Sequence, residues 1–181
     1  NPSEMLLDSN YHHKAMKKLK QAERRGRPDI IHISLLCALE SILNKEKDLN
    51  LFIHTRKDKV IEIDPETRLP RSYNRFIGLF EKLFKTKKVP KNLELLKLRN
   101  NTLKNLLNNL NGEKLVMTGE GEPVTELKKQ FPKSEDTTVI IGGFPKGDYI
   151  SNPKGKKISI YKEQLTAWTT LNEVISEYER I

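Results

Sequence analysis

Long hydrophobic runs are missing from this sequence of 181 residues. No stretch of about 18 apolar residues occurs, so no membrane-spanning helix and no membrane partner are expected. Cysteine is nearly absent: Cys37 stands alone, which excludes an intrachain disulfide and a cysteine-ligated zinc cluster. In its setting, IIHISLLCALES, a buried thiol is a better reading than a nucleophile. With no disulfide framework, the reducing cytoplasm is the expected compartment. The opening residues, NPSEMLLDSN, show neither the basic flank nor the apolar segment of a signal peptide. Histidines are few and badly placed for a metal. His12 and His13 are adjacent, so on a helix they point about 100° apart. His32 and His54 sit in strand-like runs, as core or edge residues. No metal is expected.

Positive charge, by contrast, is plentiful and unevenly placed. The net charge is +9, and residues 51–100 alone carry 13 Lys and Arg against 6 Asp and Glu. A basic centre in an otherwise balanced chain points to a local anion-binding surface, with nucleic acid as the first candidate. The mean hydropathy of −0.63 fits a soluble globular chain.

The apolar pattern predicts a helix over residues 7–25, with Ala15, Met16 and Leu19 inward, broken by GRP. DIIHISLLCAL reads as a strand buried on both faces. LNLFIHT and VIEID form a hairpin candidate around RKDK. A helix follows to about Thr86, then KTKKVPK as a basic loop. Leucines at helical spacing predict a helix over residues 93–110, closed near Gly112. Beyond it come strands in KLVMT, TTVIIGG and KKISIY, a short helix in VTELKKQF, and an amphipathic helix closing the chain. Trp168, Leu171, Val174, Ile175 and Tyr178 on that last helix suit either a dimer seam or ordinary core. Helix and strand alternate, so one α/β domain over residues 1–181 with a mostly parallel sheet is expected.

Two strands end in glycine loops, LVMTGEGEP and TVIIGGFPKGDY, and ISIYKEQLTAW adds a third strand-to-helix crossing. Neither glycine loop matches G-x-G-x-x-G or G-x-x-x-x-G-K-[ST] leading into a helix, so a dinucleotide or ATP is disfavoured. A backbone-lined slot for another small ligand fits, as do ordinary tight turns. Loops at the carboxyl ends of neighbouring strands are where an open α/β sheet binds its ligand.

The stretch TRLPRSYNRFIGLFEKLF carries a contradiction. Phe76, Ile77, Leu79, Phe80, Leu83 and Phe84 recur as one helical face, with Ser72 as the N-cap. Arg68, Arg71 and Arg75 crowd the start of that helix, where the partial positive charge repels cations. Either they pair with Glu62, Asp64 or Glu66, or they await an external anion.

Taken together and in order, RRGRPDIIHISLLCALES, IHT, TRLPRSYNRFIGLFEKLF, IIGGFPKGD and ISIYKEQLTAW resemble the SPOUT-class pseudouridine-N1-methyltransferases of small-subunit ribosome biogenesis, the archaeal members above all. The resemblance spans nearly the whole chain. It implies an α/β-knot fold with a C-terminal trefoil knot, S-adenosylmethionine bound in that knot, and a homodimer. The implied substrate is one pseudouridine in a small-subunit rRNA hairpin, with ribosomal proteins as further partners. Motif by motif it nominates Gly142, Gly147, Asp148, Tyr149, Ile160, Tyr161, Lys162 and Leu165 for the cofactor, with Met117 and Thr118 at the first strand end. Arg27, Arg68, Arg71 and Arg75 fall on RNA-binding positions. The family begins with a strand and a helix upstream of LLDSNYHHK that this sequence does not show.

Methyl transfer from a sulfonium is an in-line displacement, so alignment does most of the work. The N1–H proton of pseudouridine must also leave. Asp29 is the candidate carboxylate to accept or orient it, with Arg27 beside it for phosphate or developing negative charge. A cap or salt-bridge role for Asp29 stands equally open. Tyr73 or Phe76 offers a stacking surface for an unstacked base, although Phe76 also belongs to the apolar stripe. Two further readings remain: an RNA-binding assembly factor without activity, and a DNA-binding regulator, for which no helix-turn-helix spacing is evident.

Overall fold

The computed structural model describes residues 5–132 and 136–180. Helix α1 (Ser9–Met16) is capped by Asp8, whose carboxylate accepts from the Asn10 amide at 2.8 Å. After a 3-10 turn (Ala22–Arg24), α2 runs over Pro28–Glu40 and a short α3 over Ile42–Lys45. Strands β1 (Leu51–His54) and β2 (Val60–Ile63) make the expected hairpin, paired antiparallel. Helix α4 (Tyr73–Thr86) leads to β3 (Lys88–Val89), β4 (Leu96–Arg99) and α5 (Leu103–Asn109). The C-terminal part holds β5 (Glu113–Pro123), a 3-10 turn (Leu127–Gln130), β6 (Thr137–Ile141), β7 (Lys156–Ser159) and α6 (Ala167–Tyr178).

The chain is α/β as expected, but it carries two sheets. One is antiparallel, in the order β1-β2-β4-β3; the other is parallel, in the order β6-β5-β7. Phe76, Phe80 and Leu83 of α4 bury themselves against Ile61, Leu96, Leu35 and Leu39, while Ile77, Leu79 and Phe84 flank that core. Leu115, Met117, Ile158 and Val174 form the second core, with Leu127 and Phe131. Helix α2 touches both α4 and α6 and so joins the two cores.

That placement explains the largest difference from the sequence reading. DIIHISLLCAL is helix, not strand. A helix flanked on several sides is apolar nearly all round, and a continuous apolar run has no period that separates it from a buried strand. Pro28 at the start and Asp29 in the first turn were the helix signals, since both suit an N-terminus. The helix expected over residues 93–110 divides instead into β4 and α5. In Leu96–Arg99 only alternate residues, Leu96 and Leu98, are buried, which is strand period. Thr102 then caps α5, accepting from the Asn105 amide at 3.1 Å. The first helix is likewise shorter than residues 7–25: it ends at Met16, and Gln21, with a left-handed φ of 55°, separates it from the 3-10 turn.

Strand β5 positions the site. It pairs with β7 up to Met117, leaves the ladder, and rejoins at Glu122, so that Ile158 faces both residues. The excursion, residues 118–121, is held tightly on one side. A Cβ at Gly121 would lie 2.5 Å from the backbone of Ile158, a residue with 0% exposure. Because backbone rather than a mobile side chain blocks the space, Gly121→Ala should destabilise the chain by about 1–3 kcal/mol in urea unfolding. Gly119→Ala, with nothing within 4 Å of its Cβ position, is the control and should change little.

Candidate functional site

Three turns meet at the carboxyl ends of the parallel strands and enclose a cleft of about 580 Å³. The excursion of β5 contributes Met117 and Thr118, the turn after β6 contributes Gly142, Gly147, Asp148 and Tyr149, and the turn after β7 contributes Ile160, Tyr161 and Leu165. Lys162, grouped with them from the sequence, does not line the cleft and is exposed. Sequence reasoning missed Glu120, Phe144, Glu163 and Trp168, which also line it. Phe144 and Trp168 had a signal, since each lies within a quoted motif. Glu120 and Glu163 also lie within quoted loops, LVMTGEGEP and ISIYKEQLTAW, but an acid in a turn does not by itself mark a ligand contact.

Tyr149 braces two of these turns. Its hydroxyl lies 2.9 Å from the carbonyls of both Met117 and Ile140, tying the β6 turn to the point where β5 leaves the ladder and to the end of β6. One phenolic proton serves one carbonyl at a time. Burial, and then the neighbouring Asp148 carboxylate, push this phenol well above its ordinary range, so it stays a donor. Asp148 accepts from the Tyr149 amide at 2.8 Å and lies 3.4 Å from the Thr118 hydroxyl. At Gly147 the φ of +79° calls for glycine.

Arg27 lies on the wall of the same cleft, at the N-terminal end of α2. It meets Asp29 fork to fork, Nε donating to Oδ1 at 2.8 Å and Nη2 to Oδ2 at 2.7 Å. Asp29 does not line the cleft, so it reaches the site through Arg27 and also supplies the acidic first turn of α2. The Arg27 hydrogen bond lowers the Asp29 carboxyl below its ordinary value of 3.8, with burial opposing. A depressed folded-state value means that the pair's stabilisation is present above the unfolded pKa and is lost only as pH falls through the lower folded one. Between about pH 5 and pH 8, Asp29 therefore remains ionised, and a pH–rate profile should show no acid limb from it. An acid limb in that window that disappears in Asp29→Asn would contradict this.

Arg68, Arg71 and Arg75 are exposed around the start of α4, and among the described residues none is paired with a carboxylate. The nearby acids are engaged elsewhere: Glu62 with Arg99 at 3.0 Å, and Glu66 with Lys47 at 3.5 Å. Asp64 accepts from the Glu66 amide at 2.9 Å. Ser72 is the N-cap, yet its side chain makes no cap hydrogen bond, and the first turn of α4 has no acid. The start of α4 thus has neither a side-chain cap nor a first-turn acid to offset the three exposed guanidinium groups. This segment is tied to α2, because buried His32 donates from Nε2 to the Pro70 carbonyl at 2.8 Å. A carbonyl only accepts, so that nitrogen carries the proton.

The stacking candidates fare differently. Phe76 is 1% exposed and stacks on His32 with ring centroids 4.4 Å apart, so it is core. Tyr73 is half-buried and its hydroxyl is bonded to the buried Asp8 carboxylate. Burial, followed by that bond, raises the phenol above its ordinary range. His54 pairs with Asp58 at 2.7 Å on the hairpin. Among the described residues no helix is long and apolar enough to cross a membrane.

Comparison with known proteins finds relatives over nearly the whole chain. The family model described as EMG1/NEP1 methyltransferase matches residues 1–179. "Ribosomal RNA small subunit methyltransferase Nep1" of Thermococcus sibiricus is 50% identical over 181 residues, covering 98% of this chain and 82% of that protein. The protein of the same name from Pyrococcus furiosus is 50% identical, covering 98% and 81%. The crystal structure of Archaeoglobus fulgidus Nep1 bound to S-adenosylhomocysteine superposes with a TM-score of 0.89 at 35% identity, over 99% of this chain and 82% of that one. The SPOUT fold expected from the motifs is therefore the fold observed. With a cleft at three strand ends and a family model matching all but the last residues, the chain belongs to the EMG1/NEP1 methyltransferase family.

Proposed function

We propose that this chain is an S-adenosylmethionine-dependent methyltransferase that modifies N1 of a pseudouridine in small-subunit ribosomal RNA. The observation that carries the reading is that α2 serves both parts: Arg27 and Ile30 line the small-molecule cleft, and His32 holds the Pro70 carbonyl between Arg68 and Arg71, which pair with no carboxylate among the described residues. The names of the relatives support the rRNA part, and the S-adenosylhomocysteine of the Archaeoglobus fulgidus structure supports the donor.

The residues present fit such a donor. Phe144, Leu165 and Trp168 give the cleft apolar walls for an adenine ring. Glu120, Asp148 and Glu163 give it carboxylates suited to a cationic ligand with hydroxyl and ammonium groups. Gly142 and Gly147 leave backbone where side chains would stand. When bound, the donor supplies an electrophilic methyl group on a sulfonium.

The chain's own residues then do the positioning. Arg68, Arg71 and Arg75 hold phosphates and fix the RNA register. Arg27 presents its guanidinium to the negative charge that develops on the ring as N1 gives up its proton to solvent water. Asp29, held acidic, is too weak a base to take that proton outright, and its part is to aim Arg27. A homodimer belongs to the same reading, since Ile150 and Tyr161 are 58% and 51% exposed on the two turns that frame the cleft. Light scattering should give twice the chain mass.

The first test is thermal. Saturating S-adenosylhomocysteine at about 100 times Kd should stabilise the chain by about 2.7 kcal/mol. Stabilisation by a pseudouridine hairpin with none from S-adenosylhomocysteine would replace the enzyme by a non-catalytic assembly factor.

A further inference from the structure

Arg24, three residues before Arg27, reaches away from its own segment into the turn that follows β6. Its Nη2 donates to the Asp148 carbonyl, and its guanidinium carbon lies 5.1 Å from the centroid of the Phe144 ring. The fit is close: a Cβ at Gly147 would come within 2.9 Å of Arg24 Nη1. Its Nε is buried with no hydrogen-bond partner among the described residues. A guanidinium kept only for solubility or folding would leave that N–H in water, because burying it unpaired is unfavourable. The side chain is placed for the turn at some cost to itself.

The turn needs such a hold. Residues 142–155 form neither helix nor strand, yet they supply Gly142, Phe144, Gly147, Asp148 and Tyr149 to the cleft. Tyr149 fixes one side of this segment to Met117 of β5 and to the end of β6, and the Phe144 and Tyr149 rings meet edge to face at 5.4 Å. Phe144 and the Asp148 carbonyl have Arg24 as their outside brace. A planar fork can lie on a ring and donate to a carbonyl at the same time, which a lysine ammonium does less well.

We propose that Arg24 is a positioning residue for the methyl donor, clamping the 142–149 turn into its binding shape from the segment that also brings Arg27 to the cleft. This rests on the reading of the cleft as an S-adenosylmethionine site. Arg24 does not line the cleft, so it acts through Phe144 and Asp148 rather than on the donor.

The test uses the full chain and its Arg24→Ala, Arg24→Lys, Phe144→Leu and Arg24→Ala/Phe144→Leu variants. Calorimetry gives the affinity for S-adenosylhomocysteine, a pseudouridine hairpin without donor gives RNA affinity, and steady-state rates separate kcat from the donor KM. Arg24→Ala should raise the donor KM and the S-adenosylhomocysteine Kd about tenfold or more, with hairpin affinity and Tm nearly unchanged. Arg24→Lys should stay closer to the alanine variant than to the parent. Arg24→Ala should matter less in the Phe144→Leu background, because the two side chains share one contact. Unchanged donor affinity in Arg24→Ala, full rescue by lysine, additive losses, or parallel losses of RNA affinity and Tm would each overturn the proposal. Failure of the parent chain itself to bind S-adenosylhomocysteine would overturn both this proposal and the donor site on which it rests, before any variant is measured.

Discussion

Replacing Arg27 by alanine lowers the rate of methyl transfer at saturating donor and RNA by about 10²–10³-fold. The size follows from position. Arg27 is the cationic residue that α2 brings to the cleft wall, and Asp29 holds its fork at 2.7–2.8 Å in one orientation. A donor already aimed at developing charge needs no reorganisation as the charge appears, which is why such a loss falls on kcat. The fold should survive, because the two side chains are 38% and 31% exposed and a pair so accessible to water adds little stability. Asp29→Asn should give a smaller loss, since the amide retains one acceptor for the guanidinium. Loss of kcat with unchanged Tm and unchanged S-adenosylhomocysteine affinity, measured on the same preparation, checks all three statements.

The second large effect is on RNA binding. Exchanging Arg68, Arg71 and Arg75 together for alanine should weaken hairpin binding by about tenfold per residue, the worth of a charge-assisted hydrogen bond. The dependence of log K on log salt should flatten by about two, from three phosphate contacts on single-stranded RNA at about 0.7 each. Donor affinity should not change. These arginines have no competing intramolecular carboxylate among the described residues, because Glu62 and Glu66 are paired with Arg99 and Lys47. The same variant should unfold no more easily than the parent, because loss of the three charges relieves repulsion at the start of α4.

Much of this arrangement was legible in the residues. The turns that frame the cleft were readable because glycines at strand ends and a specific motif order coincide, and nine of the ten positions nominated there line it. Lys162 failed because a motif fixes the course of a turn and not which side chains face inward. The arginine face was legible through its conflict with the helix dipole. α2 was not, since a helix enclosed by α4 and α6 loses the apolar period that marks a surface helix. The region 93–110 misled for a related reason: leucines at two-residue spacing in β4 run into those of α5, and together they mimic a single helical face. Arg24 and the β5 excursion depend on contacts between segments more than a hundred residues apart in the one case, and on strand register in the other, neither of which local sequence carries.

The central claim is best tested by a single-turnover reaction on two hairpins that differ only in pseudouridine or uridine at one position, with the nucleosides analysed by mass spectrometry. The expected result is one methyl group on the pseudouridine, removed from N1 reactivity, and none on the uridine twin. Equal methylation of both hairpins, or an unmodified pseudouridine in a chain shown to hold the donor, would contradict it.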